Sequence, residues 1–334
     1  MHQVDISKIK GKSVLITGGL GFLGINLSRK LLGLGANVTL FVSPGKNREK
    51  VRDIESKLKI FEGNLSSEKD IETAVKNQDF LFHFAWQTDL KKSMLNPGED
   101  VKSDILGLLN ILEVSKKINP EIKIIFTSTV TIISEPKKLP VNEDEEDKPL
   151  SAYDINKLIA EKYLNMYFSV YGIKSCSLRL SNIFGEHQRI DNPNRGVLNF
   201  MIGKSLKGEP LTVYGKGDFI RDYCYVQNYV DAFVLAAVSE KTLGETFVLG
   251  SGQGRTFNEV VEKIKEIVEK KTGRKVEITH IPFPDSGKGE EKINKRNFYA
   301  DIKKFSLATG WIPKISFQEG LEKTIDFYLN KVVK

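Results

Sequence analysis

The chain has 334 residues, of which 40% are hydrophobic and 28% charged, and its formal net charge is +7. This composition is typical of a globular protein with one large or two modest domains, and it excludes bulk disorder and collagen-like repeats. The basic residues are scattered, which argues against nucleic-acid binding, and no apolar run approaches the roughly 18–20 residues of a membrane helix. Two cysteines are too few for a disulfide framework or a metal cluster, so we predict a cytoplasmic protein with reduced thiols and no metal.

The first half alternates short apolar runs with helical patterns. We predict strands over 13–17, 37–42, 58–61, 79–84 and 123–128, and helices over 24–34 and 104–117. Repetition of strand, helix and strand predicts an α/β fold, a doubly wound parallel sheet with helices on both faces.

The second half is less regular. We predict helices over 152–171, 197–207, 228–238 and 257–271, and strands over 174–179 and 246–249. The segments 185–196 and 282–297 are polar or charged, which indicates loops.

A glycine-rich turn, Thr17–Gly24, joins the first strand to the first helix. Glycines at this place permit a tight turn, and backbone N–H groups at the helix N-terminus approach a pyrophosphate. The segment therefore predicts a dinucleotide site, with an ordinary glycine turn as the alternative.

The second strand is not followed by the acidic residue that usually holds the adenosine ribose in a dinucleotide site. Ser43 could bind a ribose or a phosphate, and Lys46 and Arg48 could pair with a 2′-phosphate. The segment favours NADP over NAD, unless both cations only contact solvent.

Tyr153 and Lys157 are four residues apart in a predicted helix and share one face. A nearby ammonium stabilises a phenolate, which predicts a lowered pKa for Tyr153 and a base for a hydroxyl proton. The strand over 123–128 leads into the hydroxyl cluster Thr127–Thr131, at the carboxyl edge where open α/β sheets bind ligands.

In this order, the glycine turn, the hydroxyl cluster and the Tyr-Lys helix resemble the extended short-chain dehydrogenase/reductase family, in its nucleotide-sugar epimerase, dehydratase and ketoreductase branch. Matching segments at 82–86, 178–185, 208–215, 221–223 and 310–313 extend the resemblance over nearly the whole chain. It implies a Rossmann-type NAD(P)-binding domain over residues 1–180, with chain crossings from about 225–250, and a lobe for the nucleotide sugar over 181–334.

The resemblance also implies a role for individual residues. Tyr153 matches the general base, Lys157 its electrostatic partner and ribose ligand, and Thr129 the residue that binds the sugar oxygen, a place for which Ser128 and Thr131 are less favoured. Further implied cofactor contacts are Gly18, Gly21, Phe22, Leu23, Gly24, Ser43, Arg48, Asn64, Leu65, Phe84 and Ala85. The implied substrate contacts are Trp86, Thr129, Asn182, Asn199, Tyr214 and Arg221, with simple packing as the alternative for Tyr214.

The chain departs from the family pattern at several positions. Val130 and Thr131 replace the carboxylates that follow the catalytic Thr in dehydratases and decarboxylases, so both of these reactions are disfavoured. Asp104 replaces a common Asn, and Trp86 is bulkier than the usual Ala.

We therefore expect an NAD(P)-dependent 4-epimerase of a nucleotide-diphosphate sugar. The missing acid after the second strand favours the alternative, an NADPH-dependent 4-ketoreductase acting on a nucleotide-bound 4-keto-6-deoxyhexose. A non-catalytic NADP-binding regulator is a third hypothesis, against which the Thr-Tyr-Lys set argues. The helices over 104–117 and 152–171 have apolar stripes, and in the family such a pair forms the interface of a homodimer.

Overall fold

The computed structural model describes residues 4–134, 136–283 and 296–332. Within these ranges, no helix combines the length and the apolar character needed to cross a bilayer. The loop expected over 282–297 lies outside the described residues from position 284 to position 295.

A parallel sheet forms the centre of the fold. The strands are β1 (Ser13–Thr17), β2 (Asn37–Val42), β3 (Lys59–Glu62), β4 (Phe80–His83), β5 (Lys123–Thr129), β6 (Ser175–Leu180), β7 (Asn182–Phe184), β8 (Leu211–Tyr214), β9 (Ile220–Tyr225), β10 (Thr246–Leu249), β11 (Gly254–Thr256) and β12 (Ile278–Ile281). In the described part of the chain, seven of them pair in parallel in the order β10-β6-β5-β4-β1-β2-β3. The strand order reverses between β1 and β4, which is where open α/β sheets bind ligands.

Helices cover both faces of this sheet. The helices are α1 (Phe22–Gly33), α2 (Glu68–Val75), α3 (Leu90–Leu95), α4 (Pro97–Asp100), α5 (Leu106–Ile118), α6 (Ala152–Tyr171), α7 (Val197–Leu206), α8 (Val226–Val238), α9 (Phe257–Thr272), α10 (Lys303–Thr309) and α11 (Phe317–Val332). Helix α6 begins after Ser151, whose hydroxyl accepts a hydrogen bond from the Asp154 N–H, and ends at Gly172 in the left-handed conformation.

Alternate strand residues contribute to two separate cores. Val14 and Ile16 pack on one face with apolar side chains of α1 and α8. Leu15 packs on the other face with side chains of α2, α5 and α6. Burial on both faces accounts for the continuous apolar runs of these strands. The predicted doubly wound α/β fold is confirmed.

Two smaller sheets lie beside the large one. Strand β9 pairs in parallel with β7 and antiparallel with β11, and β8 pairs in parallel with β12. Helix α8 and strand β10 return the chain to the large sheet, within the predicted crossing at 225–250. The functional division at residue 180 stays a prediction.

The segment before α5 differs from the prediction of a helix that begins at Asp104. Residues Val101–Ile105 form a π-helical turn, and the regular helix begins at Leu106. A π turn holds an extra residue and rotates the residues before it relative to the helix. It places the buried Asp104 carboxylate against the backbone N–H of Gln87, with both oxygens 3.2 Å from that nitrogen.

A buried ion cluster joins α6 to the sheet. Arg179 of β6 forms a bidentate pair with Glu161 of α6, with N···O distances of 2.9 and 2.7 Å, and its Nη1 lies 2.8 Å from an Asp147 oxygen. Arg179 and Glu161 are both buried. Removing one member of such a pair leaves an uncompensated charge without water.

We predict that Glu161→Gln lowers the free energy of unfolding by about 3 kcal/mol, because the Arg179 guanidinium loses its buried bidentate partner. The matched control is Glu121→Gln, which breaks the exposed Lys174–Glu121 pair and should cost less than about 1 kcal/mol. Urea denaturation of the three proteins measures both effects. Equal losses in the two variants would contradict this role of the Arg179 cluster.

Candidate functional site

Three segments meet at the carboxyl edge of the large sheet: the glycine turn after β1, residues 84–86 after β4, and the end of β5. Gly18 has a φ of +67°, and a Cβ added there would lie 2.8 Å from the Ala85 nitrogen and 2.9 Å from the Phe84 carbonyl carbon. Glycine therefore lets the turn after β1 pack directly against the chain that follows β4.

The same turn leaves the N-terminus of α1 open. A Cβ at Gly24 would lie 2.6 Å from the Gly19 carbonyl oxygen, so a side chain there would force the turn to move. Gly21 is the N-cap residue, no side chain caps the helix, and its first turn has no acidic residue. The N–H groups of Phe22 and Leu23 and the helix dipole form a cradle for an anion.

The predicted catalytic residues come together at this edge. The Lys157 ammonium, on α6, donates a hydrogen bond to the Thr127 carbonyl oxygen at 2.6 Å. The Thr129 hydroxyl, at the end of β5, lies 2.8 Å from that of Thr131, and the Thr131 hydroxyl bonds the carboxylate of Asp154, the residue after Tyr153 in α6. The structure thus places Thr129, Tyr153 and Lys157 as one cluster.

The surroundings of Lys157 are unusually apolar for a cation. Its Nζ lies 4.0 Å from the ring centroid of Trp86 and 4.5 Å from that of Phe126. Burial lowers the pKa of Lys157 to about 7, although the carboxylates of Asp104 and Glu161 act in the opposite direction. Aromatic faces and nearby carboxylates together stabilise the ammonium in place of water.

The expectation that Lys157 lowers the pKa of the Tyr153 phenol is wrong for this arrangement. Burial raises the pKa of Tyr153, and the neighbouring carboxylates of Asp154 and Asp104 raise it further. The Lys157 ammonium lies 5.8 Å from the centre of the phenol ring and is bonded to Thr127 instead. Spacing in the sequence revealed the shared helix face but not the two carboxylates.

Sequence reasoning missed a polar network beside Tyr153. Asp154 is completely buried, and its Oδ1 accepts a hydrogen bond from the Thr131 hydroxyl. An Arg296 nitrogen lies 3.7 Å from the other Asp154 oxygen and 3.0 Å from the Thr131 carbonyl oxygen. The signal available in the sequence was an acidic residue directly after Tyr153.

The residues predicted to meet the adenosine end lie along β2 and β3. Ser43 is exposed at the end of β2, and Leu65 is half-buried with its carbonyl bonded by Asn110. The Asn64 side chain caps its own loop by accepting the Ser66 N–H at 2.9 Å. The Asn64 side-chain oxygen is therefore already used within its own loop. The predicted contact with adenine would have to come from the other exposed atoms of Asn64.

The partners of Arg48 differ from those that the sequence predicted. Its guanidinium pairs with the carboxylates of Glu55 and Glu62, which raise its pKa. Glu62, the last residue of β3, lies opposite Val42 of β2. It therefore places a carboxylate beside the second strand, which the order of residues in the sequence did not reveal. A 2′-phosphate would have to compete with both carboxylates for Arg48.

The predicted substrate contacts lie on different elements. Asn182 is exposed at the start of β7, and Arg221 lies on the neighbouring strand β9, with its guanidinium 5.0 Å from the Phe219 ring centroid. Burial lowers the pKa of Arg221 to about 10. Tyr214, on β8 of the two-stranded sheet, is 41% exposed, and its ring stacks on Phe283 with centroids 6.0 Å apart.

Asn199 is a correction to the predicted site. It is completely buried in α7, and its amide bonds both the N–H of Gly185 at 3.2 Å and the carbonyl of Gly185 at 2.8 Å. The side chain holds the turn after β7 and does not reach a cleft, so the predicted substrate contact is wrong.

No group of three or more His, Cys, Asp or Glu side chains is arranged to hold a metal ion in the described ranges. His83, at the end of β4, is buried with its Nδ1 2.7 Å from the Thr17 hydroxyl. Burial lowers the pKa of His83 to about 3, so its ring is neutral where it meets Thr17 of β1 and stacks on Phe126 of β5.

Comparison with known proteins gives a consistent result. The sequence profile described as "NAD dependent epimerase/dehydratase family" matches residues 14–250. The crystal structure of UDP-glucose 4-epimerase from Thermotoga maritima, solved with UDP-glucose, is 30% identical and aligns over 96% of this chain and 100% of that chain, with a TM-score of 0.84. UDP-glucose 4-epimerase from Thermus thermophilus, solved with NAD, is also 30% identical and aligns over 95% of this chain and 98% of that one, with a TM-score of 0.81.

Another relative has a different activity. UDP-glucuronic acid decarboxylase 1 from Danio rerio is 29% identical over 97% of this chain and 74% of its own length. The expectation that decarboxylation is disfavoured therefore finds no support in these relatives. The resemblance to extended short-chain dehydrogenases/reductases of nucleotide sugars is confirmed, and the chain belongs to the NAD-dependent epimerase/dehydratase family of enzymes.

Proposed function

We propose that this protein is an NAD-dependent 4-epimerase of a nucleotide-diphosphate sugar. The observation that carries the proposal is the cluster of Thr129, Tyr153 and Lys157 at the sheet edge that also holds the glycine turn. The two cysteines are free and buried, which fits a reducing compartment, and we propose the cytoplasm.

The residues present fit a dinucleotide. The turn at Gly18 and Gly24 has no room for side chains, and the uncapped N-terminus of α1 offers N–H groups to a pyrophosphate. Lys157 would hold the nicotinamide ribose, and the chain at Asn64–Leu65 would border the adenine. When bound, NAD supplies the acceptor and donor of a hydride at the sugar carbon.

We propose NAD in preference to NADP. Arg48, one of the two cations on which the expectation of NADP depended, is paired with Glu55 and Glu62. These carboxylates would repel the extra phosphate of NADP. NADP, with the exposed Lys46 as its contact, is the alternative.

The chain's own residues would move a proton at the C4 oxygen of the sugar. Tyr153 removes the hydroxyl proton and later returns it, and Thr129 orients the same oxygen. Asp104 supports the charge of the Lys157 ammonium by raising its pKa. Arg221 and Asn182 would contact the nucleotide diphosphate, with Tyr214 beside the base and Trp86 beside the sugar.

A 4-ketoreductase is the second candidate. It is favoured by the exposed, uncharged end of β2 at Ser43 and by the raised pKa of Tyr153, which suits a phenol that gives a proton to a keto oxygen. Decarboxylation is a further reaction to test. Thr131 replaces a carboxylate of the decarboxylases, but its hydroxyl bonds the buried Asp154 carboxylate, so an acidic group still lies at this place.

A homodimer formed through α5 and α6 is our proposal for the assembly. Four apolar side chains on these helices, Leu106, Ile155, Met166 and Val170, are between 37% and 64% exposed. Three of them lie on α6 at spacings that keep them on one face. A second copy of the chain would cover this face.

For the cofactor site, we predict that Gly24→Ala reduces NAD affinity at least tenfold, because the new Cβ would lie 2.6 Å from the Gly19 carbonyl. The control is Gly33→Ala in the same helix, where a Cβ meets nothing within 4 Å. Calorimetric titration with NAD and NADP checks both variants and the cofactor preference. Equal affinity of Gly24→Ala and the parent protein would exclude the glycine turn as the binding site.

For the reaction, we predict that the protein converts a UDP-sugar to a mixture of C4 epimers without net reduction of NAD. Proton NMR of UDP-glucose, UDP-N-acetylglucosamine and UDP-glucuronic acid incubated with protein and NAD follows the products. Tyr153→Phe should lower the rate about 10²–10⁴-fold, whereas Tyr171→Phe, at the far end of α6, should not.

The other hypotheses give different products in this assay. Stoichiometric NADPH consumption with a 4-keto sugar would establish reduction, and release of CO₂ from UDP-glucuronic acid would establish decarboxylation. Bound cofactor without turnover of any nucleotide sugar would indicate a non-catalytic regulator. An undiminished rate in Tyr153→Phe would reject Tyr153 as the base.

For the assembly, we predict a dimer at micromolar concentration that Val170→Asp converts to a monomer, because the charge would be buried at the interface. Leu307→Asp is the matched control, since Leu307 is equally exposed, at 64%, but lies on α10. Sedimentation velocity distinguishes the states. A monomeric parent protein would refute the proposed dimer.

A further inference from the structure

Two arginines lie side by side on the three-stranded sheet β11-β9-β7. In the antiparallel pairing of β9 with β11, Arg221 lies directly opposite Arg255. Residues directly opposite each other in such a pair share one face, with Cβ atoms roughly 4.5–5.5 Å apart. The next positions on the same face agree with this direction, because the rings of Phe219 and Phe257 stack with centroids 5.3 Å apart. The two guanidinium groups therefore start from neighbouring positions on one face.

The arginine pair occupies the open face of this sheet. Asn182 of β7 lies beside Tyr223 of β9, two positions from Arg221, so it belongs to the same face. Asn182 is exposed and both arginines are half-buried. Asp222 points to the opposite face, where it is completely buried and accepts hydrogen bonds from backbone N–H groups. The arginine pair thus shares its face with Asn182, a proposed contact of the nucleotide diphosphate.

Each guanidinium is turned towards a different aromatic ring. The guanidinium carbon of Arg221 lies 5.0 Å from the ring centroid of Phe219, and that of Arg255 lies 4.8 Å from the ring centroid of Phe317. Phe317 packs against Tyr223, so the two rings lie on opposite sides of the arginine pair along the strands. The guanidinium groups therefore diverge. This reduces the repulsion between them and leaves a separate place for an anionic group at each.

The protein uses little of the hydrogen-bonding capacity of Arg255. Within residues 4–134, 136–283 and 296–332, its guanidinium makes one hydrogen bond, from Nη2 to Gln253 Oε1 at 2.6 Å, and no ion pair. The nearest acid along the chain, Glu259, uses its carboxylate to bond Thr256 at the start of α9. A guanidinium has five N–H donors in a planar fork that matches phosphate oxygens. Arg255 is therefore suited to an anionic ligand on the open face.

We propose that Arg255 binds the diphosphate of the substrate together with Arg221, each guanidinium holding one of the two phosphoryl groups. This inference rests on the function proposed above, because it adds Arg255 to the binding site of the same nucleotide-diphosphate sugar. A diphosphate carries charge on both sides of its bridging oxygen, so it matches two guanidinium groups that diverge from neighbouring positions. Its charge also offsets the repulsion between two cations directly opposite each other.

The diphosphate of NAD is a different ligand with its own place in the fold. The N-terminus of α1, next to the glycine turn, offers backbone N–H groups to it. Binding of a nucleoside diphosphate should therefore depend on Arg255, whereas binding of NAD should not.

The test compares Arg255→Met with Arg274→Met by calorimetric titration with UDP, GDP and NAD. Methionine keeps an unbranched side chain beside Phe317 but removes the charge. The affinity for the nucleoside diphosphate that the parent protein binds more tightly should fall about tenfold or more, because hydrogen bonds to a charged group are lost. The affinity for NAD should stay within about twofold of the parent value. Arg274 is exposed after α9, and its variant should keep all the parent affinities.

Arg255→Lys is the second variant. It keeps a cation but lacks the planar fork, so its affinity for the same nucleoside diphosphate should lie between those of the parent protein and Arg255→Met. Circular dichroism verifies that each variant is folded, and the lysine variant alone provides the test if methionine prevents folding. A parent protein that binds neither UDP nor GDP, unchanged affinity in the folded Arg255 variants, or an equal loss of NAD affinity would overturn the proposal.

The substrate assay separates this proposal from the proposed function. With an active substrate, Arg255→Met should raise KM about tenfold and keep kcat within about threefold, because a diphosphate remote from the reacting carbon is bound equally before and during the reaction. Weakened binding of the nucleoside diphosphate without turnover of any nucleotide sugar would refute the proposed function but support the role of Arg255. Turnover with unchanged affinity for UDP and GDP in Arg255→Met would do the reverse.

Discussion

The 2.6 Å hydrogen bond from the Lys157 ammonium to the Thr127 carbonyl oxygen holds helix α6 against the end of β5. Two strand residues beyond that carbonyl lies Thr129, and one helical turn before Lys157 lies Tyr153. This contact between a helix and a strand helps to place the phenol and the hydroxyl at the same edge of the sheet. The Arg179–Glu161 pair fixes the same helix to β6 further along, so α6 is held to two adjacent strands.

The polar groups around this contact are mutually dependent because little water reaches them. Lys157, Asp104 and Asp154 are each at most 4% exposed. A buried charge is tolerated when partners replace its hydration. Here Lys157 has Thr127 and two aromatic rings, Asp104 has the Gln87 N–H and the Ser103 hydroxyl, and Asp154 has Thr131 and Arg296. Protonation of one group consequently changes the ionisation of its neighbours.

Periodicity predicted the bounds of β1 and β2 to the residue and those of α6 and β10 closely, since each is a continuous apolar or amphipathic run bounded by turn residues. It missed the π turn over Val101–Ile105, because one extra residue changes the direction of Asp104 without interrupting the apolar stripe of α5. It did not predict β7, β8, β9, β11 and β12, the strands of the two small sheets.

The sequence predicted only those parts of the site that are formed by residues close together in the chain. The glycine turn, Thr129 and the Tyr153–Lys157 pair follow from positions near one another in the chain. Arg296 bonds Thr131 across 165 positions, and no local pattern joins them. Asn199 was misassigned because its side chain faces the Gly185 turn, a direction that depends on how α7 packs. The pKa of Tyr153 was misjudged because the burial of this side chain and its proximity to Asp104 exist only in the assembled fold.

The stacking of Lys157 on Trp86 gives the molecule an intrinsic optical probe. The chain has two tryptophans, and the other, Trp311, is 2% exposed with its indole N–H bonded to the Asn228 carbonyl. Indole emission depends on adjacent charge, so the Trp86 signal would respond to deprotonation of Lys157, whose Nζ lies 4.0 Å from the centre of its ring, or to movement of this group to another partner. A change at the sheet edge would therefore reach the emission of Trp86, whereas Trp311 is buried against α8, away from this edge.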